Sequence, residues 1–154
     1  MTLIDPRPPA PKNERALDAA FSGELRQTLG LQRQDLVAIA KMAQKAQREG
    51  DTALAFRAHA LLVLVDPQAV AHQVGLAESA LAAKNPSAAL QAASAIVATA
   101  PENPEGYLMS ARACLDLGLV EEAKEDLADA LRFAKRARRG DIFAECQALL
   151  ATLP

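Results

Sequence analysis

Alanine recurs in this chain at intervals of 34 residues. Ala43, Ala77 and Ala111 form one such set and Ala55, Ala89 and Ala123 another; Pro67 and Pro101 are separated by the same 34 positions. Gly50 and Gly118 lie two periods apart, with Lys84 midway between them. A period held over three copies without insertion constrains folding strongly. Each copy is one supersecondary unit that cannot bury its own apolar face, so neighbouring units must stack into a continuous core. Placing Pro67 and Pro101 at the closing position sets the units at 36–69, 70–103 and 104–137.

Composition decides what each unit is made of. The 154 residues include 35 Ala and 22 Leu, against four Phe, one Tyr and no Trp. Ala and Leu lead the helix-propensity scale, whereas strands favour β-branched and aromatic residues. A hydrophobic share of 51% excludes a disordered chain. The punctuation also fits pairs of helices. Gly50-Asp51 separates two helices and caps the second, predicted over 52–65. Asn85-Pro86 and Asn103-Pro104 each set a capping Asn before proline at the first helical position, and Gly118 divides the third unit.

A helix–turn–helix unit of this length resembles the tetratricopeptide repeat. The large residue near the start of the first helix is Ile39, Gln73 and Tyr107 in turn, and the pair that follows is Met42-Ala43, Leu76-Ala77 and Ser110-Ala111. The small residue of the second helix is Ala55, Ala89 and Ala123. The bulky position after it is His59, Ala93 and Leu127, followed by Leu62, Ile96 and Ala130. Lys135 replaces the closing proline in the third unit. The reading is all-α: three tandem tetratricopeptide repeats with flanking N- and C-terminal helices, wound into a right-handed superhelix with a concave groove. Met42, Leu76 and Leu127 are expected to fill its core.

The flanks complete the organisation. Residues 1–12 carry four prolines and read as a flexible arm, and 13–153 as a single domain. A helix over 13–29 ends at Gly30, with Leu17, Phe21, Leu25 and Leu29 on one stripe. Gly140-Asp141 ends one helix and caps another, a C-terminal capping helix over 141–153. These flanking helices cover the exposed ends of the stack. Eight helices are expected.

Little in the sequence speaks for catalysis. There is no Gly-rich phosphate loop, no HExxH and no GxSxG, so the chain is read as a non-enzyme with no cofactor and no metal. His59 falls on a core position and reads as a packed side chain. Cys114 and Cys146 read as reduced, structural thiols of a cytoplasmic protein, with a bridge between them as the alternative. No signal peptide and no membrane-spanning helix are expected, since no apolar run of that length occurs. A net charge of −2 does not suit a nucleic-acid partner. The acidic run Glu121, Glu122, Glu125, Asp126 and the basic run Arg132, Lys135, Arg136, Arg138, Arg139 sit at the favourable ends of one helix; the basic run is also a candidate site for phosphate or an acidic partner.

Surface shape is then the candidate for function. First helices of such repeats line the concave side. Helical spacing puts Val37, Ala40, Gln44 and Gln47 on that side from the first repeat. The second repeat adds Ala71, Val74, Glu78 and Leu81, and the third Glu105, Leu108, Arg112 and Leu115. Small aliphatic residues among Gln, Glu and Arg suit an extended peptide, its side chains in the pockets and its backbone on the polar groups.

Three stretches carry a narrower resemblance: LVAIAKMAQKAQREGDTALAFRAHALLVLVDP (36–67), QVGLAESAL (73–81) and PENPEGYLMSARACLDLGLVEEAKEDLADAL (101–131). Set between an N-terminal and a C-terminal helix, they resemble the class II chaperones of bacterial type III secretion. The resemblance implies a cytoplasmic protein. It would bind an extended segment of hydrophobic translocators in its groove and keep them soluble before export. It also implies homodimerisation through the N-terminal helix, with Leu17, Phe21 and Leu25 as contacts, although that stripe could instead pack on the first repeat. One departure stands out: the family's first repeat is usually aromatic where this chain has Ala40, Gln44 and Gln47. The alternative reading is a general tetratricopeptide scaffold for protein–protein interaction in a larger assembly.

Overall fold

A computed structural model of the chain describes residues 24–154. The arm at 1–12, the start of the first predicted helix, and Leu17 and Phe21 lie outside the described residues. Among the described residues eight helices follow one another: α1 (Glu24–Thr28), α2 (Arg33–Glu49), α3 (Thr52–Val65), α4 (Val70–Ala82), α5 (Pro86–Thr99), α6 (Pro104–Asp116), α7 (Val120–Ala137) and α8 (Gly140–Ala151). α2–α3, α4–α5 and α6–α7 are the three helix hairpins of the tetratricopeptide architecture.

The period is written into the backbone. Gly50, Lys84 and Gly118 all take left-handed conformations, with φ of 80°, 58° and 77°. Each is followed by the same closing bond: Asp51 N to the Ala46 carbonyl (2.9 Å), Asn85 N to Ala80 (2.9 Å) and Leu119 N to Cys114 (2.8 Å). These bonds satisfy carbonyls that the helix end would leave unpaired. Lys84 accepts a conformation that costs a side chain about 1–2 kcal/mol, because register and closing bond are the same as at its two glycine equivalents. Asp51 Oδ1 then accepts from Leu54 N at 2.9 Å, and Asn85 Oδ1 from Ala88 N at 3.2 Å. Between hairpins the period recurs in side chains: Gln73 Nε2 donates to the Pro67 carbonyl at 3.2 Å and the Tyr107 hydroxyl to that of Pro101 at 2.9 Å.

Packing explains the alanine repeat. Ala43, Ala55, Ala77, Ala89, Ala111 and Ala123 are all buried, each where two helices cross closely. Leu62, Ile96, Leu127 and Ala130 fill the space beside them. Met42 departs from the expected pattern, being 45% exposed. Its equivalent Leu76 packs on the main core cluster, whereas among the described residues α2 packs chiefly on α3.

The order of contacts gives the curvature. α4 touches α6 and α6 touches α8, whereas the second helices α3, α5 and α7 make at most marginal contact with one another. The first helices α4, α6 and α8 therefore lie on the inside of the stack. α1 packs on α3, and Leu25 is half-buried against Leu36, Leu62 and Val65. At the other end the expected break shifts by two residues. Arg138 takes the left-handed turn (φ 56°) and Gly140 already belongs to α8. The guanidinium of Arg139 bonds Asp141 at 2.8 Å and Glu105 at 3.1 Å, which ties this junction to α6.

His59 is buried, as its core position predicts, but neither ring nitrogen has a hydrogen-bond partner. The ring lies against Gly75 of α4. Burial, and secondarily the charge of His72, pushes its pKa below the ordinary imidazole value. The unfolded chain therefore takes up this proton more readily than the folded one. The corresponding stability is present above about pH 6.5 and is lost as pH falls through the lowered value. The urea midpoint should accordingly drop between about pH 7.5 and about pH 5.5. His59→Leu, matching Leu127 at the equivalent place, should flatten that drop. An equal pH response in wild type and variant would contradict the assignment.

Candidate functional site

The inward faces of α2 and α4 carry most of the residues that sequence spacing selects. Val37 is 47% exposed, and Gln44, Gln47 and Ala71 are also exposed; Ala40, Val74, Glu78 and Leu81 are half-buried. Leu81 also packs against two core clusters, so it supports the surface more than it forms it. α2 and α4 make at most marginal contact with each other. Among the described residues α2 packs chiefly on α3, so its aliphatic and amide side chains stay uncovered by a further helix.

The third repeat behaves differently. Leu108, expected to line the groove, is only 2% exposed and belongs to the core cluster with Ile142 and Cys146. Glu105 is held by Arg139, and Arg112 is ion-paired with Glu145 of α8. Leu115 packs against the same cluster. The cause is α8, which lies on α6 as the first helix of a fourth unit would. The period shows it: Arg139 stands 34 residues after Glu105, and Ile142 stands 34 after Leu108. Continuing the register beyond residue 137 would have placed α8 there and removed Leu108 from the groove.

At the amino-terminal end of α2 lies a cavity of about 450 Å³, lined by Arg26, Arg33, Leu36, Val37, Ala40, Asp66 and His72. An adjoining cavity of about 500 Å³ shares Arg26 and Asp66 and is otherwise formed by Gln27, Gly30, Leu31, Gln32 and Val65. Arg26 Nε donates to the Leu31 carbonyl at 3.4 Å, and His72 Nε2 lies 3.9 Å from Asp66 Oδ2. First-helix spacing predicts Val37 and Ala40 here but none of the four polar residues. Arg33 was within reach, one turn before Val37 on the same stripe. Arg26, Asp66 and His72 come from α1, a turn and the shoulder of α4, where a first-helix periodicity says nothing.

Other candidate chemistry is accounted for locally. In the basic run, Arg132 pairs with Asp129, Arg136 with Glu102, and Arg139 with Glu105 and Asp141. Arg132 also lies over the Phe133 ring, 4.6 Å from its centre. These carboxylates answer much of the charge that an anion would need. Cys114 and Cys146 are free, buried thiols, and burial pushes both pKa values up, away from the reactive thiolate. Among the described residues no three His, Cys, Asp or Glu side chains could hold a metal ion, and no helix is long and apolar enough to cross a membrane.

The chain matches no protein-family model and no curated protein sequence. Its fold is nevertheless shared with solved structures. The type III secretion translocator chaperone SycD of Yersinia enterocolitica superposes with a TM-score of 0.76 at 16% identity, over 83% of this chain and 96% of that one. PcrH, in complex with the chaperone binding region of PopD, gives 0.74 at 20% identity over 79% and 92%. The first tetratricopeptide domain of Spaghetti (RPAP3), bound to an HSP90 peptide, gives 0.63 at 18% identity over 79% and 97%. The chain thus has the all-α tetratricopeptide fold of the translocator chaperones.

Proposed function

We propose that this chain is a non-enzymatic, cytoplasmic chaperone of type III secretion. It captures an extended segment of a hydrophobic translocator in the cleft between α2 and α4 and keeps that protein soluble until export. The observation that supports the reading is that aliphatic and amide side chains of α2 and α4 are exposed or half-buried, whereas the equivalent residues of α6 are covered by α8. Val37, Ala40 and Val74 offer apolar contact. Gln44 and Gln47 supply donors and acceptors that an extended backbone can use. The likeness to SycD and PcrH supports the same reading, because PcrH was solved with the chaperone binding region of PopD and SycD with a peptide of the translocator YopD.

The groove is aliphatic where rings would give more area; each aromatic buries about 150–250 Å². Its cargo motif is therefore smaller or more polar than one that fills an aromatic pocket. The test is co-expression with the hydrophobic secreted proteins encoded near its gene. The expected result is a shift of one of them into the soluble fraction and its co-purification at fixed stoichiometry. Failure of every such protein to co-purify would leave the second reading, a scaffold that binds another protein, which the RPAP3 likeness favours.

A further inference from the structure

The cavity at the amino-terminal mouth of the cleft has a charge that aliphatic capture does not use. Two guanidiniums, of Arg26 and Arg33, line it together with the imidazole of His72. The carboxylate on the same wall is that of Asp66, the neighbour of His72. Among the described residues neither guanidinium is ion-paired with a carboxylate, in contrast to Arg112, Arg132, Arg136 and Arg139. Leu36, Val37 and Ala40 form an apolar wall of the same cavity, continuous with the α2 face of the cleft. A site that joins arginines to an aliphatic surface suits an anion beside an apolar group, and in an unmodified peptide that anion is a carboxylate next to an aliphatic side chain. Arginine binds a carboxylate through paired N–H donors, and such charge-assisted bonds are roughly twice as strong as neutral ones.

We infer that the mouth of the cleft binds an Asp or Glu side chain of the captured segment, next to the aliphatic residue seated on Val37 and Ala40. The inference rests on the peptide-binding reading above and names the chemistry of the ligand. The adjoining cavity shares Arg26 and Asp66 with the mouth, and the acidic group is assigned to a side chain of a segment that continues past it.

The test uses the full chain, isotope-labelled, titrated in NMR with three synthetic probes. The first is acetyl-Ala-Pro-Leu-Asp-Leu-Val-Pro-Ala-amide, the second has Asn for Asp, and the third has Asn and a free carboxyl terminus. The Asp peptide should shift the amides of Arg33, Val37 and His72 and bind roughly tenfold more tightly than the Asn peptide, as expected for one lost charge-assisted contact. Arg33→Gln should bring the Asp peptide down to the affinity of the Asn peptide, leaving the latter unchanged. If Asp and Asn peptides bind equally, still shifting Val37 and Val74, the acidic recognition is wrong and the cleft remains the peptide site. Tighter binding of the third probe than of the first would assign the mouth to a chain terminus and overturn the side-chain proposal. No shift at these residues with any probe would overturn it together with the peptide-binding reading.

Discussion

Replacing Leu108 with Asp should cost this protein most of its stability. The side chain is 2% exposed and belongs to the cluster that joins α6, α7 and α8. Removing a buried Leu costs about 2–5 kcal/mol in a core, and an ionised carboxylate left there without a partner adds a further penalty. Losses above about 4 kcal/mol are exceptional for single substitutions and follow from such burial of charge. Against a typical total of about 5–15 kcal/mol, the variant should be partly or wholly unfolded at room temperature. Circular dichroism with urea titration reads this directly. A near-normal midpoint would mean that Leu108 faces the open groove after all, as first-helix spacing alone suggests.

Gly75→Ala should also be destabilising, against the ordinary rule for helices. Inside a helix the change from Gly to Ala normally gains about 0.5–1 kcal/mol. Here a Cβ on residue 75 would come within 2.3–2.9 Å of three atoms of the His59 ring. The ring is buried between α3 and α4 and cannot swing into solvent without opening that contact. Overpacking of this kind costs about 1–3 kcal/mol, which reverses the sign. The signature is in the double variant. His59→Ala removes the clashing ring, so adding Gly75→Ala to it should be neutral or stabilising, a coupling between contacting residues. If Gly75→Ala raises the midpoint in the wild-type background, the ring is free to move and the close contact is not structural.

These two cases also show how far the sequence could be read. The spacing of Ala43, Ala77 and Ala111, with that of Ala55, Ala89 and Ala123, was enough to predict three helix hairpins, because close crossings admit only small side chains. The turn at Lys84 was legible by register alone, although residue preference argues against it. A period that ends at 137 leaves Leu108 on the groove, whereas one unit more places α8 over it. First-helix spacing selects Val37, Ala40, Gln44, Gln47, Ala71, Val74 and Glu78, all of which are exposed or half-buried on α2 and α4. It does not select the charged mouth, since Arg26, Asp66 and His72 converge from separate elements and no period relates them. The contact of His59 with Gly75 was likewise hidden: each residue looks ordinary alone, and only packing brings them together.

The central claim is that the open cleft of the first two repeats, and no other surface, holds the cargo. The most direct measurement compares two apolar-to-charged variants in the co-purification assay. Val74→Asp places a carboxylate in the cleft on α4, and Leu64→Asp places one on α3, a second helix, where the side chain is 50% exposed. Both should keep wild-type helicity. Val74→Asp should lose at least about tenfold in cargo recovery, equivalent to about 1.4 kcal/mol of binding, while Leu64→Asp should stay at the wild-type level. Retention by Val74→Asp together with loss by Leu64→Asp would contradict the claim and move the binding surface to the outer helices.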